Sequence, residues 1–308
     1  MDVSLSTRRA FKVGLKPHQR KIVVPLVLIL PAFLVVFVLA AYSALWIVQL
    51  SLVDLTFGQP FDQAVWVELE NYRWLLFDPH STFWGAVQVT ALYILGTLTP
   101  ELLIGFCIAL LLNRQIVGRS IYTAILIIPI VLMPSMVGMI WRLYFSYDGL
   151  VNFFIETLFG TKHNWYGPDL ALLAVIIVDI WEWTPFFVLI LLAGLQTLPH
   201  EPFEAALVDG ASKWQSFIHI TLPLMMPLIL TSLILRFMDV LRLFDVIFVM
   251  FGGGPGSATT TLPLYVYRTT LVAEDVGRGS AASVMLIILI VSLTYLLIRL
   301  RERTKFEA

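Results

Sequence analysis

Charged and aromatic side chains interrupt two long apolar runs of the sequence, where a buried charge needs a partner or a function. The candidates are Asp179, Glu182, Trp183, Arg236, Asp239 and Arg242. A charge inside a bilayer costs at least ~2.5 kcal/mol on insertion scales, which makes each charged residue a functional candidate. Carboxylates accept hydrogen bonds from hydroxyl groups, arginine binds hydroxyls or an anionic group, and an indole offers an apolar face. The set suits a polar cavity; the alternative is a group of ion pairs that only fixes helix packing.

Patterns typical of enzymes and metal sites are missing from the sequence. The single cysteine, Cys107, excludes an internal disulfide and a cysteine metal cluster. The five histidines lack zinc-ligand spacing, and neither HExxH nor GxSxG occurs. The glycine-rich stretch from Gly252 to Gly256 lacks the lysine of a phosphate-binding loop. We therefore predict neither catalysis nor a cofactor or metal in this chain.

The apolar runs themselves indicate a membrane protein. Of 308 residues, 59% are hydrophobic and only 13% are charged, against roughly 25% charged in soluble domains. Runs of about 20 apolar residues span the hydrocarbon core. Six helical spans are predicted, at Ile22–Leu50, Phe83–Leu112, Ile121–Phe145, Leu170–Leu195, Pro223–Met250 and Ser280–Leu300. The net charge of −1 gives no attraction for nucleic acid.

Basic residues predict the orientation of these spans, because Lys and Arg collect at cytoplasmic span ends. One side carries Arg8, Arg9, Lys12, Lys16, Arg20, Lys21, Arg114, Arg119, Lys213, Arg299, Arg301, Arg303 and Lys305. The loops of the other side contain only Arg73, Lys162, Arg268 and Arg278, among more numerous acids. Both termini are therefore predicted to be cytoplasmic.

The loop between predicted spans four and five, residues 196–223, has the pattern of a folded element and is named the elbow here. Its first half starts after prolines and has acids where a helix N-terminus favours them. Gly210 can end that helix by adopting positive φ, and Ser212 can cap a second helix. In the second helix, Trp214, Phe217 and later apolar residues recur at helical spacing. Two short helices at an angle are predicted.

The elbow also resembles a known signature, E-A-A followed by a glycine and then I-x-L-P. The matching residues are Glu204, Ala205, Ala206, Gly210, Ile220, Leu222 and Pro223, with Asp209 beside the glycine. This signature is similar to the cytoplasmic coupling loop of ABC importer permeases, the inner-membrane components of binding-protein-dependent transport systems. The segments 180–196 and 244–260 resemble carbohydrate-uptake permeases of the maltose and glycerol-phosphate transporter type.

The resemblance implies an all-α, six-span membrane protein with the type I ABC importer permease fold. It further implies a second related permease, two ATPase subunits that bind ATP and Mg, and an extracytoplasmic solute-binding protein. The implied solute is a sugar, a polyol or a sugar derivative, with a site between the spans that flank the elbow. Arg236 adds the hypothesis that this solute is anionic.

The expected domain organisation is a cytoplasmic tail at 1–21, a permease domain at 22–305 that contains the elbow, and a tail end at 306–308. The protein is placed in a bacterial inner membrane, in contact with lipid. An ion-coupled secondary transporter is the alternative function, because intramembrane charges among six spans also suit that class. A membrane-embedded enzyme and a scaffolding protein without transport are further alternatives.

Overall fold

Helices make up most of the computed structural model, which describes residues 17–114 and 116–304. The α-helices are α1 (Pro17–Leu50), α2 (Glu70–Phe77), α3 (Phe83–Leu112), α4 (Arg119–Val131), α5 (Pro134–Tyr144), α6 (Leu150–Phe159), α7 (Ala171–Gln196), α8 (Glu201–Val208), α9 (Lys213–Ser216), α10 (Leu222–Val240), α11 (Asp245–Phe251), α12 (Leu262–Tyr267) and α13 (Val276–Thr304). Short π-helices occupy Phe217–Thr221 and Arg268–Val272, and a 3₁₀-helix occupies Phe61–Gln63. Strands β1 (Val53–Asp54) and β2 (Val65–Trp66) pair antiparallel. Most of the basic N-terminal tail and the tail end at 306–308 lie outside the described residues.

Five helical stretches of the described chain are long and apolar enough to cross a bilayer. They are Leu26–Leu50, Phe83–Leu112, Ala171–Gln196, Lys213–Val240 and Val276–Arg299. The predicted third span is instead a pair of helices, α4 and α5, which meet at an angle of 96°. Pro134 begins α5, and a residue that precedes a proline is biased away from helical geometry. Met133 is accordingly extended, with ψ 129°, so six spans form but one of them is broken.

The fifth span differs from its predicted boundaries at both ends. Its helix ends at Val240 rather than Met250, and the Arg242 side chain donates Nε–H to the Met238 carbonyl near that end. At the other end, α9, the π-helix and α10 form one helical stretch that begins at Lys213. Proline lacks the amide hydrogen of a regular helical turn, and Pro223 is the second residue of α10, which begins where the π-helix ends. The second half of the elbow is therefore the beginning of the fifth span.

The chain divides into two units, one up to Gln49 and one from Leu50 onwards. In the first unit, α1 is apolar over its whole predicted span, with a mean hydropathy of 2.6. In the second unit, α7 is the most enclosed helix, and about half of its most apolar stretch is buried (56%). Phe187 and Leu191 of α7 pack with Ala109 of α3 and Met225 of α10 in one apolar core.

Helix α7 approaches its neighbours closely because glycines lie at the contacts. A Cβ on Gly105 of α3 would come within 2.6 Å of the Phe187 Cβ atom, and a Cβ on Gly194 would overlap Leu228 of α10. Small residues let membrane helices pack backbone to backbone, where dispersion contacts replace the hydrophobic effect. The helices on either side of the elbow, α7 and α10, are thus packed against each other at its base.

Candidate functional site

Arg236 of α10 is at the centre of a buried group of charged residues from three helices. Its Nε and Nη2 atoms donate to the two carboxylate oxygens of Glu101, each at 2.9 Å. Nη2 also donates to Asp179 at 2.6 Å, and Nη1 donates to Asp239 at 2.9 Å. These four residues, from α3, α7 and α10, are named the Arg236 cluster. A bidentate arginine–carboxylate pair is geometrically specific, so the cluster fixes how the three helices align.

The Arg236 cluster is enclosed except on one side. The side chains of Arg236 and Asp179 are 1% exposed and that of Glu101 is 0% exposed, whereas that of Asp239 is 43% exposed. The Trp183 ring covers the guanidinium, whose Cζ atom is 4.3 Å from the ring centroid. Asp239 is therefore the carboxylate through which the cluster reaches an accessible surface.

Acceptors outnumber donors in this region. Glu182 lies one helical turn after Asp179 on α7 and is also buried, so four carboxyl groups accompany one guanidinium. Among the described residues, Oδ1 of Asp179 and Oε2 of Glu182 have no hydrogen-bonding partner. The arginine donates four hydrogen bonds to carboxylates, out of five N–H groups. Most of these acceptors are buried, as is the hydroxyl of Tyr93, which is unpartnered in the described chain, so the accessible acceptor of the region is Asp239.

The structure brings together five of the six sequence candidates and separates the sixth. Arg242 is exposed and bonds to a backbone carbonyl, because α10 ends before it. The arginine that pairs with Asp179 is Arg236.

Glu101 was assigned no role from the sequence, yet it is the bidentate partner of Arg236. Its signal was a lone carboxylate after Pro100 within a 30-residue apolar helix. Placing such a charge inside a bilayer costs free energy, and this cost alone makes the residue a functional candidate. The sequence did not reveal its partner, which is 135 residues away along the chain.

The elbow consists of two short helices joined at a sharp turn, as predicted. Glu201 and Glu204 lie in the first turn of α8, and Gly210 follows that helix with φ +75°. Ser212 caps α9 reciprocally: its Oγ accepts from the Gln215 amide at 3.2 Å, and Gln215 Oε1 accepts from the Ser212 amide at 2.7 Å. The turn between the helices is thus set by a left-handed glycine and a capping box.

Most of the elbow surface is exposed in the described chain. None of the residues of α8 is buried, and Leu207 and Val208 are 78% and 87% exposed. Only part of the apolar side predicted for α9 turns inward: Phe217 packs on Phe106 of α3 with ring centroids 5.8 Å apart, whereas Trp214 is 67% exposed. Exposed apolar side chains at this density indicate an interaction surface.

The signature residues occupy two environments in the elbow. Glu204, Ala205, Asp209, Gly210 and Pro223 are exposed. Ala206, Ile220 and Leu222 are half-buried, with Leu222 packed against the core that joins α3, α7 and α10. A cavity of about 370 Å³ opens between the two helices, lined by Ala206, Gly210 and His219 among others. The exposed residues therefore lie on the surface, while the half-buried ones connect the elbow to the spans.

Residues 101–305 match the model of the family described as "Binding-protein-dependent transport system inner membrane component". This range holds the elbow and the whole Arg236 cluster. The chain belongs to this family, and it is a multi-pass membrane protein that acts as the permease subunit of an ABC importer.

Named relatives agree with this assignment. The chain is 38% identical over 270 residues to the trehalose/maltose transport system permease protein MalF of Thermococcus litoralis, covering 87% of this chain and 90% of the relative. It is 36% identical over 282 residues to the sulfoquinovosyl glycerol transport system permease protein SmoG of Agrobacterium fabrum, covering 90% of each.

A solved structure shares the fold. The match is a chain of a bacterial ABC transporter that imports the acidic polysaccharide alginate, with a TM-score of 0.76 at 21% identity. The match covers 93% of this chain and 98% of that one. The predicted all-α, six-span permease fold is therefore confirmed.

Family membership also decides between the functional classes that the sequence left open. The importer interpretation is favoured over an ion-coupled secondary transporter, because the family depends on a solute-binding protein. The chain is not an enzyme: ATP hydrolysis belongs to separate ATPase subunits of such importers.

Proposed function

We propose that this chain, together with a second related permease, forms the path through which a sugar or polyol crosses the membrane. The relatives named for trehalose/maltose and for sulfoquinovosyl glycerol transport support a sugar as the solute, one name being that of neutral sugars and the other that of a sulfonated one. The observation that carries the proposal is the acceptor-rich region around Arg236, because a sugar presents many hydroxyl donors to such a region. Trp183 and the half-exposed Asp239 are the residues of this region assigned to solute contact.

Within this class we assign a neutral solute rather than an anionic one. Binding an anion requires free hydrogen-bond donors. The Nε and Nη2 atoms of Arg236 already donate to Glu101, and two further hydrogen bonds go to Asp179 and Asp239. Four carboxyl groups around one guanidinium also repel a second negative charge. Arg236 is thus assigned a structural role, in contrast to the hypothesis that it binds a phosphate, sulfonate or carboxylate.

Uptake into proteoliposomes that contain the complete transporter tests this assignment. A labelled neutral disaccharide is taken up in competition with an excess of a neutral or a sulfonated analogue. We expect only the neutral analogue to compete, and we expect Asp239→Asn to lower uptake about tenfold by removing an accessible charged acceptor. Asp245→Asn, an exposed carboxylate outside the cluster, is the matched control. Equal competition by the sulfonated analogue would contradict the neutral assignment.

For the elbow we propose docking onto one of two ATPase subunits, which bind ATP and Mg. In this arrangement the elbow and both chain termini lie on the cytoplasmic side. The exposed apolar surface of α8 and Trp214 supports the proposal, as does the continuity of α9 with the fifth span. Because α9 continues into α10, movement of a bound ATPase passes directly into the helix that carries Arg236.

Site-specific crosslinking tests this docking. In a Cys107→Ser background, Ala205→Cys or Val208→Cys is combined with a short bifunctional reagent in the assembled transporter. We expect a crosslink to the ATPase subunit from the elbow and none from Gln59→Cys, because the loop that holds Gln59 lies at the opposite end of α3 from the elbow. The crosslink should change in yield when vanadate traps the transporter. Absence of any crosslinked ATPase adduct along residues 201–215 would contradict the proposed docking.

A further inference from the structure

A polar cavity of about 590 Å³ opens at the end of the second unit that lies opposite the elbow. Its polar lining includes Thr82, Ser257, Thr260, Tyr265, Arg268 and Thr269. Thr82 directly precedes α3, whose other end packs against the elbow through Phe106 and Phe217. In the proposed orientation, this cavity faces the extracytoplasmic space.

Arg268 is held in this cavity by the backbone of the glycine-rich turn. Its Nη1 atom donates to the Gly256 carbonyl at 3.3 Å and to Thr260 Oγ1 at 3.2 Å. Thr260 is buried and donates in turn to the Gly253 carbonyl at 2.9 Å. A Cβ on Gly253 would come within 3.1 Å of that same Nη1 atom, and Gly253 has φ +94°. The guanidinium is thus positioned in advance by neutral groups on one of its edges.

The other edge of the Arg268 guanidinium, formed by Nε and Nη2, has no acceptor among the described residues. The same edge of Arg236 binds Glu101 bidentately. A guanidinium edge of this kind matches the two oxygens of a carboxylate. The two arginines therefore differ in one respect: the described residues supply carboxylates to Arg236 and none to Arg268.

Three other basic residues at this end have a carboxylate partner, whereas Arg142 and Arg242 donate to backbone carbonyls. The pairs are Arg73 with Glu70 at 3.8 Å, Lys162 with Asp148 at 2.9 Å, and Arg278 with Asp275 at 3.3 Å. Arg268 stands apart from these pairs although the sequence places many acids in the same loops. Its charge is left for a group from outside the described chain.

We infer that the Arg268 cavity is a docking site for an acidic side chain of the solute-binding protein. This inference rests on the proposed function, because it requires that protein to meet this end of the permease. The carboxylate binds the Nε and Nη2 atoms of Arg268, and the hydroxyls of Ser257 and Thr269 surround it. The pair orients the solute-binding protein and favours its encounter with the permease.

Stimulation of the transporter ATPase by its solute-binding protein tests this inference. The complete transporter is reconstituted in neutral phosphatidylcholine vesicles, and the binding protein is titrated with its solute. We expect Arg268→Glu to raise the half-maximal concentration of binding protein about tenfold or more, since it places like charges in contact. Arg268→Lys should raise this concentration about threefold, because lysine keeps the positive charge but lacks the paired N–H donors of a guanidinium.

Arg73→Glu is the matched control, because it makes the same charge change at an exposed residue of α2 at this end of the second unit. It should leave the half-maximal concentration within about twofold, as expected for an exposed ion pair. Gel filtration of each variant complex establishes that it is assembled. An unchanged half-maximal concentration for assembled Arg268→Glu would overturn the inference and leave the proposed function standing. If the binding protein fails to stimulate even the wild-type transporter, both are overturned.

Reciprocal variants identify the partner group. Acidic surface residues of the binding protein are changed to lysine one at a time and titrated against Arg268→Glu. Recovery of the wild-type half-maximal concentration by one of them supports the inference, and purely additive losses from all of them oppose it. An effect of Arg268→Glu that appears only in vesicles with anionic lipid would assign the cavity to a lipid headgroup and reject the docking site.

Discussion

The elbow and the Arg236 cluster both contain charged residues, but their surroundings are opposite. The carboxylates of the elbow, such as Glu204 and Asp209, are exposed, and none of the residues of α8 is buried. In the cluster, Glu101, Asp179 and Arg236 are at most 1% exposed. Water can solvate an exposed carboxylate that has lost its partner, at little cost in stability. A buried carboxylate has no such access to water and needs its partner. The exposed elbow surface fits the proposed contact with an ATPase subunit, whereas the cluster joins three helices of this chain.

Variants in the two regions should accordingly differ in their effects: those in the cluster should change stability, and those in the elbow should change transport. Changes at Glu101, Asp179 and Arg236 are expected to act first on folding and helix alignment, because these three side chains are at most 1% exposed. Changes in the elbow are expected to act on transport with the fold intact. Variants in each region, each with a matched control, can test this difference between the elbow and the Arg236 cluster.

The largest expected effect is that of Arg236→Met. It leaves Glu101 and Asp179 buried without a cation, which costs about 3–5 kcal/mol of stability. We expect a clear fall in the unfolding midpoint of the detergent-solubilised protein. Arg242→Met, an exposed arginine on the same chain segment, should change the midpoint little.

Combining Arg236→Met with Glu101→Gln sharpens this first prediction. The double variant removes one of the stranded carboxylates, so it should recover part of the lost stability. A midpoint for Arg236→Met equal to that of the wild type would show that the cluster does not hold the helices.

The next effect is that of Gly210→Val in the elbow. Nothing lies within 4 Å of a Cβ at this position, but its φ of +75° strains a branched residue by about 1–2 kcal/mol. We expect the turn between α8 and α9 to change, and solute uptake to be lost while membrane insertion and the unfolding midpoint stay near the wild type. Gly160→Val is the control, because Gly160 has φ +72° and similarly open surroundings far from the elbow. Wild-type uptake by Gly210→Val would count against the elbow as a lever.

The smallest effect is expected for Ser212→Ala. It removes the side-chain cap of α9, worth about 1 kcal/mol, from a helix that continues into the fifth span. We expect ATPase activity to persist while uptake per ATP hydrolysed falls about twofold to threefold, because a frayed helix transmits movement less well. Ser212→Asp retains a capping acceptor and should restore the ratio. A similar loss in Ser212→Asp would show that capping is not the cause.

The elbow was more predictable from the sequence than the cluster because its determinants are local. Gly210, Ser212 and the acids of α8 act on neighbours within a few residues, and the structure has the positive φ and the capping box at those positions. The Arg236 cluster depends on helices that are distant in sequence. Asp179, Arg236 and Asp239 were recognised from their cost in a bilayer, but Glu101 and its pairing with Arg236 were not.

The predicted spans likewise differ from the observed helices where the backbone turns, although their number was predicted. Composition predicted six spans, yet the 96° bend between α4 and α5 and the early end of α10 at Val240 were missed. Hydropathy averages over a window and does not register where a backbone turns. Pro134 was a visible signal for the bend.

The sequence by itself determined that this chain lies in a membrane, that it has six spans and that it carries a coupling signature, because hydropathy, capping and glycine conformations act over a few residues. The tertiary structure alone decided which charges meet, that Asp239 is the exposed member of the Arg236 cluster, and that no carboxylate of residues 17–114 and 116–304 pairs with Arg268. These outcomes depend on how α3, α7 and α10 pack and on how the glycine-rich turn folds against α12, and a carboxylate finds its arginine only after that packing exists.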